Sequence, residues 1–414
     1  MVQASSTHIK NWLKQLAQFS DTPNEGVTRL SFTPTYEKAV HYLIDEMKKL
    51  GLTTRIDRFG NVIGRSPSHQ DLSPIVIGSH LDSVTRGGAF DGTAGIVAGL
   101  EIARLFQQQS SIPVRPFEVI AFVEEEGGRF DNVMMGSRAM TGDLKEEEFF
   151  QTMDENKTTI EEAMNALDFE KDHKEGARKR DDIGAFLELH IEQGTILEDE
   201  EVHLGIVETI GGFEQFHIDV RGKRDHAGTT PMDERADALV TASKMIGTFP
   251  TLIKDFEEDG TVLTVGSLNI SPNGKNVIPD RAHFTIDLRS HTATSLDEAT
   301  ERILRFIELH ESENIQVTIE RLFSLRPQAL DRNIQSLLDT CVKRRSYTAQ
   351  PMKSRAGHDA MTFASFVPTG LLFVPSKDGI SHTKDEWTDF DDIARGVNVL
   401  FDAVYELTKN ENML

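Results

Sequence analysis

Two short, unbroken apolar runs with a long helical repeat between them constrain this chain more than any other feature. Ser73–Ser79, with Pro74-Ile75-Val76-Ile77 inside it, and Phe117-Glu118-Val119-Ile120-Ala121-Phe122-Val123 have the length and apolarity of buried strands. From Asp91 to Gln109, Ile96, Val97, Leu100, Ile102, Ala103 and Phe106 recur at helical spacing. Strand, helix and strand in that order predict a right-handed crossover, and with it an α/β fold on a mostly parallel sheet.

The flanking segments extend the pattern. The first nineteen residues read as an amphipathic helix through Ile9, Trp12, Leu13, Leu16 and Phe19, and Tyr36 to Leu50 as a second helix stopped at Gly51. Thr53–Ile56 and Asn61–Gly64 read as short strands, and Ala185-Phe186-Leu187-Glu188-Leu189-His190 as a third buried one. The charged stretch Lys145 to Asp182 predicts surface helices. From about Gly211 the character changes. Strands at Gln215–Arg221, Thr264–Ile270 and Ala282–Arg289, with helices at Asp233–Phe249 and Ser295–Glu311, describe an inserted α+β domain of two helices on an antiparallel sheet. Helix Asn333–Arg345, strand Gly370–Val374 and helix Asp391–Lys409 return to the first domain, so the expected division is 1–211, 212–327 and 328–414.

With 414 residues the chain is long enough for two domains. Lys and Arg number 44 against 67 for Asp and Glu, a formal charge of −23 that opposes phosphate backbones and anionic lipid surfaces. No nucleic-acid or membrane partner is therefore expected, and any anionic substrate must meet positive charge supplied locally. Cys341 is the only cysteine, so no intrachain disulfide can form. The start lacks a signal-peptide apolar core, and no run of about 18 apolar residues follows. A soluble, cytoplasmic protein is the expectation.

Chemistry gathers where the buried strands run out. Gly78-Ser79-His80-Leu81-Asp82 ends one of them, with His80 and Asp82 on one side by period-2 geometry, so that Asp82 could accept the free ring N–H of a metal-bound His80. Gly87-Gly88-Ala89-Phe90-Asp91-Gly92 then turns into the helix, which leaves Asp91 either as an N-cap or as a ligand. Glu124-Glu125-Glu126 leaves the next strand, and could be a solvated loop or carboxylates gathered around cations. Glu188-Leu189-His190 and Gly379-Ile380-Ser381-His382 add two more histidines, each an ordinary residue taken alone among 14. Together His80, Asp91, Glu126, His190 and His382 form an N/O donor set without thiolate, suited to zinc, manganese, cobalt or nickel.

These motifs, with Glu125-Glu126-Gly127-Gly128-Arg129-Phe130, Ile191-Glu192-Gln193-Gly194 and His226-Ala227-Gly228-Thr229-Thr230-Pro231-Met232, resemble nearly end to end the amidase branch of the di-metal aminoacylase and carboxypeptidase-type peptidases. That branch includes N-carbamoyl-L-amino acid hydrolases, β-ureidopropionases, allantoate amidohydrolases and ureidoglycolate amidohydrolases. The resemblance implies that His80, Asp91 and His190 hold one divalent ion, and Asp91, Glu126 and His382 a second. It implies Glu125 as general base, and His226 as an oxyanion-stabilising residue reaching a neighbouring subunit from an insert that serves as lid and dimerisation domain. Asn276 and Arg289 match the clamp on a substrate carboxylate, Gln193 the contact to the carbamoyl end, and Gly357 and His358 the pocket wall. Gly128, Lys384 and Arg355 depart from the usual pattern. Arg355 stands where Gly is usual and so bears on the pocket's shape and charge.

The implied activity is hydrolysis of an N-carbamoyl-L-amino acid to amino acid, ammonia and carbon dioxide by a homodimer. An allantoate or ureidoglycolate amidohydrolase, or an enzyme cleaving acylated amino acids or dipeptides, is the alternative. A catalytically silent binding protein with the same cleft is disfavoured, because the presumed base and all five presumed ligands are present.

Overall fold

A computed structural model describes residues 2–110, 112–167 and 180–409. The chain forms two compact units, one of residues 1–208, 329–352 and 358–414, the other of 209–328 and 353–357. The short segment 353–357 groups with the second unit, although the sequence reading keeps it with the first. Two hydrogen bonds explain this: Gly211 N donates to the Ser354 carbonyl at 2.9 Å, and Arg289 Nη1 to the Arg355 carbonyl at 3.2 Å.

The sheet of the first unit runs, in order, through Thr53–Ile56, Val62–Arg65, Phe117–Phe122, Ile75–His80, Ala185–Ile191, Thr369–Val374 and Leu204–Ile210. Its four central strands pair in parallel, and its flanks are antiparallel. All four central strands are buried along their whole length, which is why they read as unbroken apolar runs rather than alternating ones. Helix Thr93–Gln108 is the crossover between Ile75–His80 and Phe117–Phe122, and it is buried from Thr93 through Ala103. Parallel pairing sets the carboxyl ends side by side: His80 lies opposite Phe122, and His190 opposite Phe373. The residues that follow these strands therefore emerge at one edge of the sheet.

The second unit is a five-stranded antiparallel sheet whose long strands are Gly212–Arg221, Arg281–Ser290 and Gln316–Leu325. Helices Ala238–Ile253 and Ala293–Glu308 supply Ala242, Met245, Phe249, Leu296, Ile303 and Ile307 to a core shared with Phe216, Ile218, Val220, Phe284, Ile286 and Leu288. The predicted strand Thr264–Ile270 is two pieces, Val262–Thr264 and Leu268–Ser271, that pair with successive parts of Arg281–Ser290. The predicted helix start at Asp233 moves to Ala238, because the Asp237 side chain accepts from Val240 N as an N-cap. In the charged stretch, helices Glu146–Gln151 and Ile160–Asn165 are present. Residues 168–179, part of the same expectation, lie outside the described residues.

Candidate metal centre

His80 is the last residue of its strand and 2% exposed. Its Nδ1 meets the carbonyl oxygen of Asp82 at 3.1 Å, and His190 Nδ1 meets the carbonyl of Ile191 at 2.9 Å. A carbonyl only accepts, so both rings carry a proton on Nδ1 and turn Nε2 inward. His80 Nε2 lies 3.4 Å and His190 Nε2 3.1 Å from Asp91 Oδ1. The other carboxylate oxygen, Oδ2, lies 3.1 Å from His382 Nε2, which is itself 3.5 Å from Glu126 Oε2. One ligand atom from each of His80, Asp91 and His190 falls within 4.8 Å of the others, and the same holds for Asp91, Glu126 and His382.

Asp91 reaches this shared position because it does not cap the helix. The N-cap is Gly92, at φ 62°, with no side-chain capping bond, and a Cβ there would press 2.5 Å from His80 Cε1. Of the three successive glutamates, Glu124 turns away and its Oε1 accepts the N–H groups of Arg129 and Phe130 at 3.1 and 2.7 Å. Glu125 and Glu126 face the centre, and Glu125 Oε2 is 3.8 Å from His80 Nε2.

The expected role of the Asp82 side chain needs correction. Its Oδ1 is 4.0 Å from His80 Nδ1, beyond hydrogen bonding, and the backbone carbonyl takes that bond instead. The carboxylate accepts the N–H groups of Glu125 and Glu126, each at 3.1 Å. Leu81 and Asp82 turn off the strand, so period-2 geometry no longer applies there.

The electrostatics fit divalent cations. Burial opposes charging the His80 ring, yet Glu125, Asp91 and Asp82 outweigh it and hold the ring well above its ordinary pKa. Burial likewise pushes Glu125 well above the carboxylate range, with His80 partly offsetting it, and raises Glu126 to about 7. For Asp91 burial is overcome by the three imidazoles, and the carboxyl sits well below its usual value. Lone pairs on inward Nε2 atoms facing carboxylate oxygens repel unless a proton or a cation stands between them. Glu126 Oε1 is buried and has no hydrogen-bond partner among the described residues. A donor set of three imidazole nitrogens and two carboxylates, one of them shared, suits a pair of borderline divalent ions.

The remaining sequence-predicted residues divide between the units. Gln193 Nε2 donates to Asp91 Oδ2 at 2.9 Å and to Ser381 Oγ at 3.1 Å. His358 is 2% exposed, packs edge-on to His190 with ring centroids 4.5 Å apart, and is held neutral, first by burial and then by His190. In the second unit, exposed His226 pairs across a short two-stranded ladder with Val277, and Ala227 N donates to the Asn276 carbonyl at 3.1 Å, so the ladder sets His226 and Asn276 side by side. Arg289 is forked onto Asp287 at 2.8 and 3.2 Å, so its guanidinium is already engaged by a carboxylate. Gly357 belongs to the second unit and is half-buried.

Three buried groups escaped sequence reasoning. Glu188 accepts from Ser79 Oγ at 2.7 Å and from Ala360 N at 2.9 Å, and with His190 and His358 forms a further donor cluster. Arg29 donates to the Leu81 carbonyl at 2.7 Å, bracing the turn after His80. Glu386 bridges two loops. Arg29 and Glu386 sit in no periodic pattern that marks them, whereas Glu188, an acid inside a buried strand on the same face as His190, carried a signal that was not used.

An α/β unit with candidate metal ligands gathered around Asp91 is the arrangement of a hydrolase centre, and the sequence profile of the Peptidase family M20/M25/M40 matches residues 76–406. The chain belongs to that family. It is 38% identical over 410 residues to the N-carbamoyl-L-amino-acid amidohydrolase of Paenarthrobacter aurescens, covering 98% of this chain and 99% of that one. It is 34% identical over 401 residues to the allantoate amidohydrolase of Bacillus subtilis, covering 96% and 97%. A crystal structure of an amidase of the hydantoinase/carbamoylase family from Burkholderia multivorans superposes with a TM-score of 0.87 at 32% identity, covering 99% of each chain. The chain is thus a hydrolase of carbon–nitrogen bonds other than peptide bonds. None of its described helices is long and apolar enough to cross a membrane.

Proposed function

We propose that the chain hydrolyses the carbamoyl C–N bond of an N-carbamoyl-L-amino acid, using one water to give amino acid, ammonia and carbon dioxide. His80, Asp91 and His190 would hold one divalent ion, and Asp91, Glu126 and His382 the other. When bound, such ions would supply Lewis acidity, lowering the pKa of a water and polarising the ureido carbonyl. Glu125, backed by its neighbouring acids, takes a proton from the attacking water and delivers it to the leaving nitrogen. Gln193 orients the carbamoyl end, with Gly357 and His358 on the pocket wall, and Arg289 with Asn276 binds the substrate carboxylate. The chain acts as a homodimer in the cytoplasm, and His226 of one subunit stabilises the oxyanion formed in the other.

The observation that carries this reading is a buried carboxylate, Glu125, beside two candidate ligand groups that meet at Asp91. The choice of substrate is supported by the higher identity to the carbamoyl enzyme, 38% against 34%, over comparable lengths. Allantoate is the second reading, supported by that 34% relative matching 96% of the chain. A panel of N-carbamoyl-L-amino acids, allantoate, ureidoglycolate, acylated amino acids and dipeptides, run on stripped and manganese-reloaded protein, decides. Turnover of N-carbamoyl-methionine is expected, and ureidoglycolate release from allantoate with no carbamoyl turnover rejects the proposal.

A further inference from the structure

Glu386 lies four residues past His382 and is 4% exposed. Its Oε1 accepts the N–H of Phe90 at 2.9 Å and of Asp91 at 3.0 Å. Its Oε2 accepts the Ser381 hydroxyl at 2.8 Å and the N–H of His382 at 3.4 Å. Ser381 Oγ also receives the amide of Gln193, which holds Asp91 Oδ2 as well. A methyl group on Gly88 would run into the Glu386 carboxylate, so the bare backbone of Gly88 is what admits it.

We propose that Glu386 is a positioning residue for the metal centre, one buried carboxylate that pins the Asp91 loop to the His382 loop across nearly 300 residues of chain. The inference rests on the reading of Asp91 and His382 as ligands. It follows from where the five ligands sit. His80 and His190 belong to buried strands and are placed by the sheet, whereas His382 follows a turn, has φ 58° and a side chain 50% exposed. Asp91 likewise stands in an irregular segment ahead of its helix. Without a tie between these loops, the separation of Asp91 and His382 is set by nothing as stiff as a strand. A carboxylate with four donors is stable in such a buried place, and it supplies that tie. Phe90 and Trp387 add an apolar contact between the same loops, with rings 5.4 Å apart.

The test is titration of metal-free protein with Mn2+, by calorimetry and by the electron paramagnetic resonance signal of free Mn2+, on wild type, Glu386→Ala and Glu386→Asp. Wild type is expected to bind two ions. Glu386→Ala is expected to weaken the ion of the Asp91–Glu126–His382 set about 10- to 100-fold, with the other changed less than about threefold. Glu386→Asp keeps the charge but is one methylene too short to span both loops, so it shows the same split and serves if the alanine variant fails to fold. Two ions bound with wild-type affinity, or equal weakening of both ions, overturns the inference. Fewer than two ions on the wild type overturns the reading of the centre itself, and this inference with it.

Discussion

Removing the carboxylate of Asp82 separates the arrangement seen here from the simpler one expected of a His-x-Asp pair. Asp82 is 1% exposed, and its two oxygens accept the amides of Glu125 and Glu126, while its backbone carbonyl serves His80. Hydrogen bonds to an ionised acceptor contribute about 1.5–3 kcal/mol each, so Asp82→Ala removes about 3–6 kcal/mol and strands two buried amides. Relief from burying a carboxylate returns part of this, leaving a net loss of about 2–4 kcal/mol. The loss falls on the loop that carries Glu126 and Glu125, the proposed base. His80 keeps its carbonyl partner. Urea unfolding of the metal-free variant should show the stability loss. Mn2+ titration should show the ion assigned to Glu126 weakened about 10- to 100-fold, and the ion assigned to His80 nearly unchanged. His190→Ala and His382→Ala serve as references that assign each binding phase. The reverse order, with the His80 ion lost first, would mean that the carboxylate orients the imidazole after all, and the reasoning from the 3.1 Å amide contacts would be wrong.

Glu125→Gln should leave metal content unchanged and lower turnover about 10²- to 10⁴-fold, measured by ammonia release; an equally active variant shows that the base is another group. Mixing inactive His226→Ala with inactive Glu125→Gln should restore part of the activity in heterodimers, and no recovery after subunit exchange counts against a site shared between subunits. Cys341 is buried, and burial followed by Asp402 pushes its thiol up to about 12. A thiol reagent should therefore find no target in native protein at pH 8 and one equivalent after unfolding; rapid labelling of the native state would refute that burial.

What could be read from the sequence follows the physics of each element. The central strands announce themselves because burial on both faces demands unbroken apolar runs, as in Ile75–His80 and Phe117–Phe122. Gln316–Leu325 went unread because it carries only partly buried positions among exposed ones, and its place is set by pairing with Gly212–Arg221. The same division runs through the site. His80, Asp91, Glu126, His190 and His382 stand at strand ends and turns that local patterns locate, and the structure brings them together. Asp82 was found but given the wrong atom, since the choice between its carbonyl and its carboxylate depends on the turn after His80. Glu386, Glu188 and Arg29 each hold a partner more than fifty residues away, which no spacing rule reaches.

Anomalous diffraction from crystals grown with Mn2+ tests the central claim most directly. Two peaks are predicted, one among His80, Asp91 and His190 and one among Asp91, Glu126 and His382, with a carboxylate oxygen of Asp91 on each and Glu125 free of both. Saturating metal with no peak among these side chains, or a single ion held without Asp91, would contradict it.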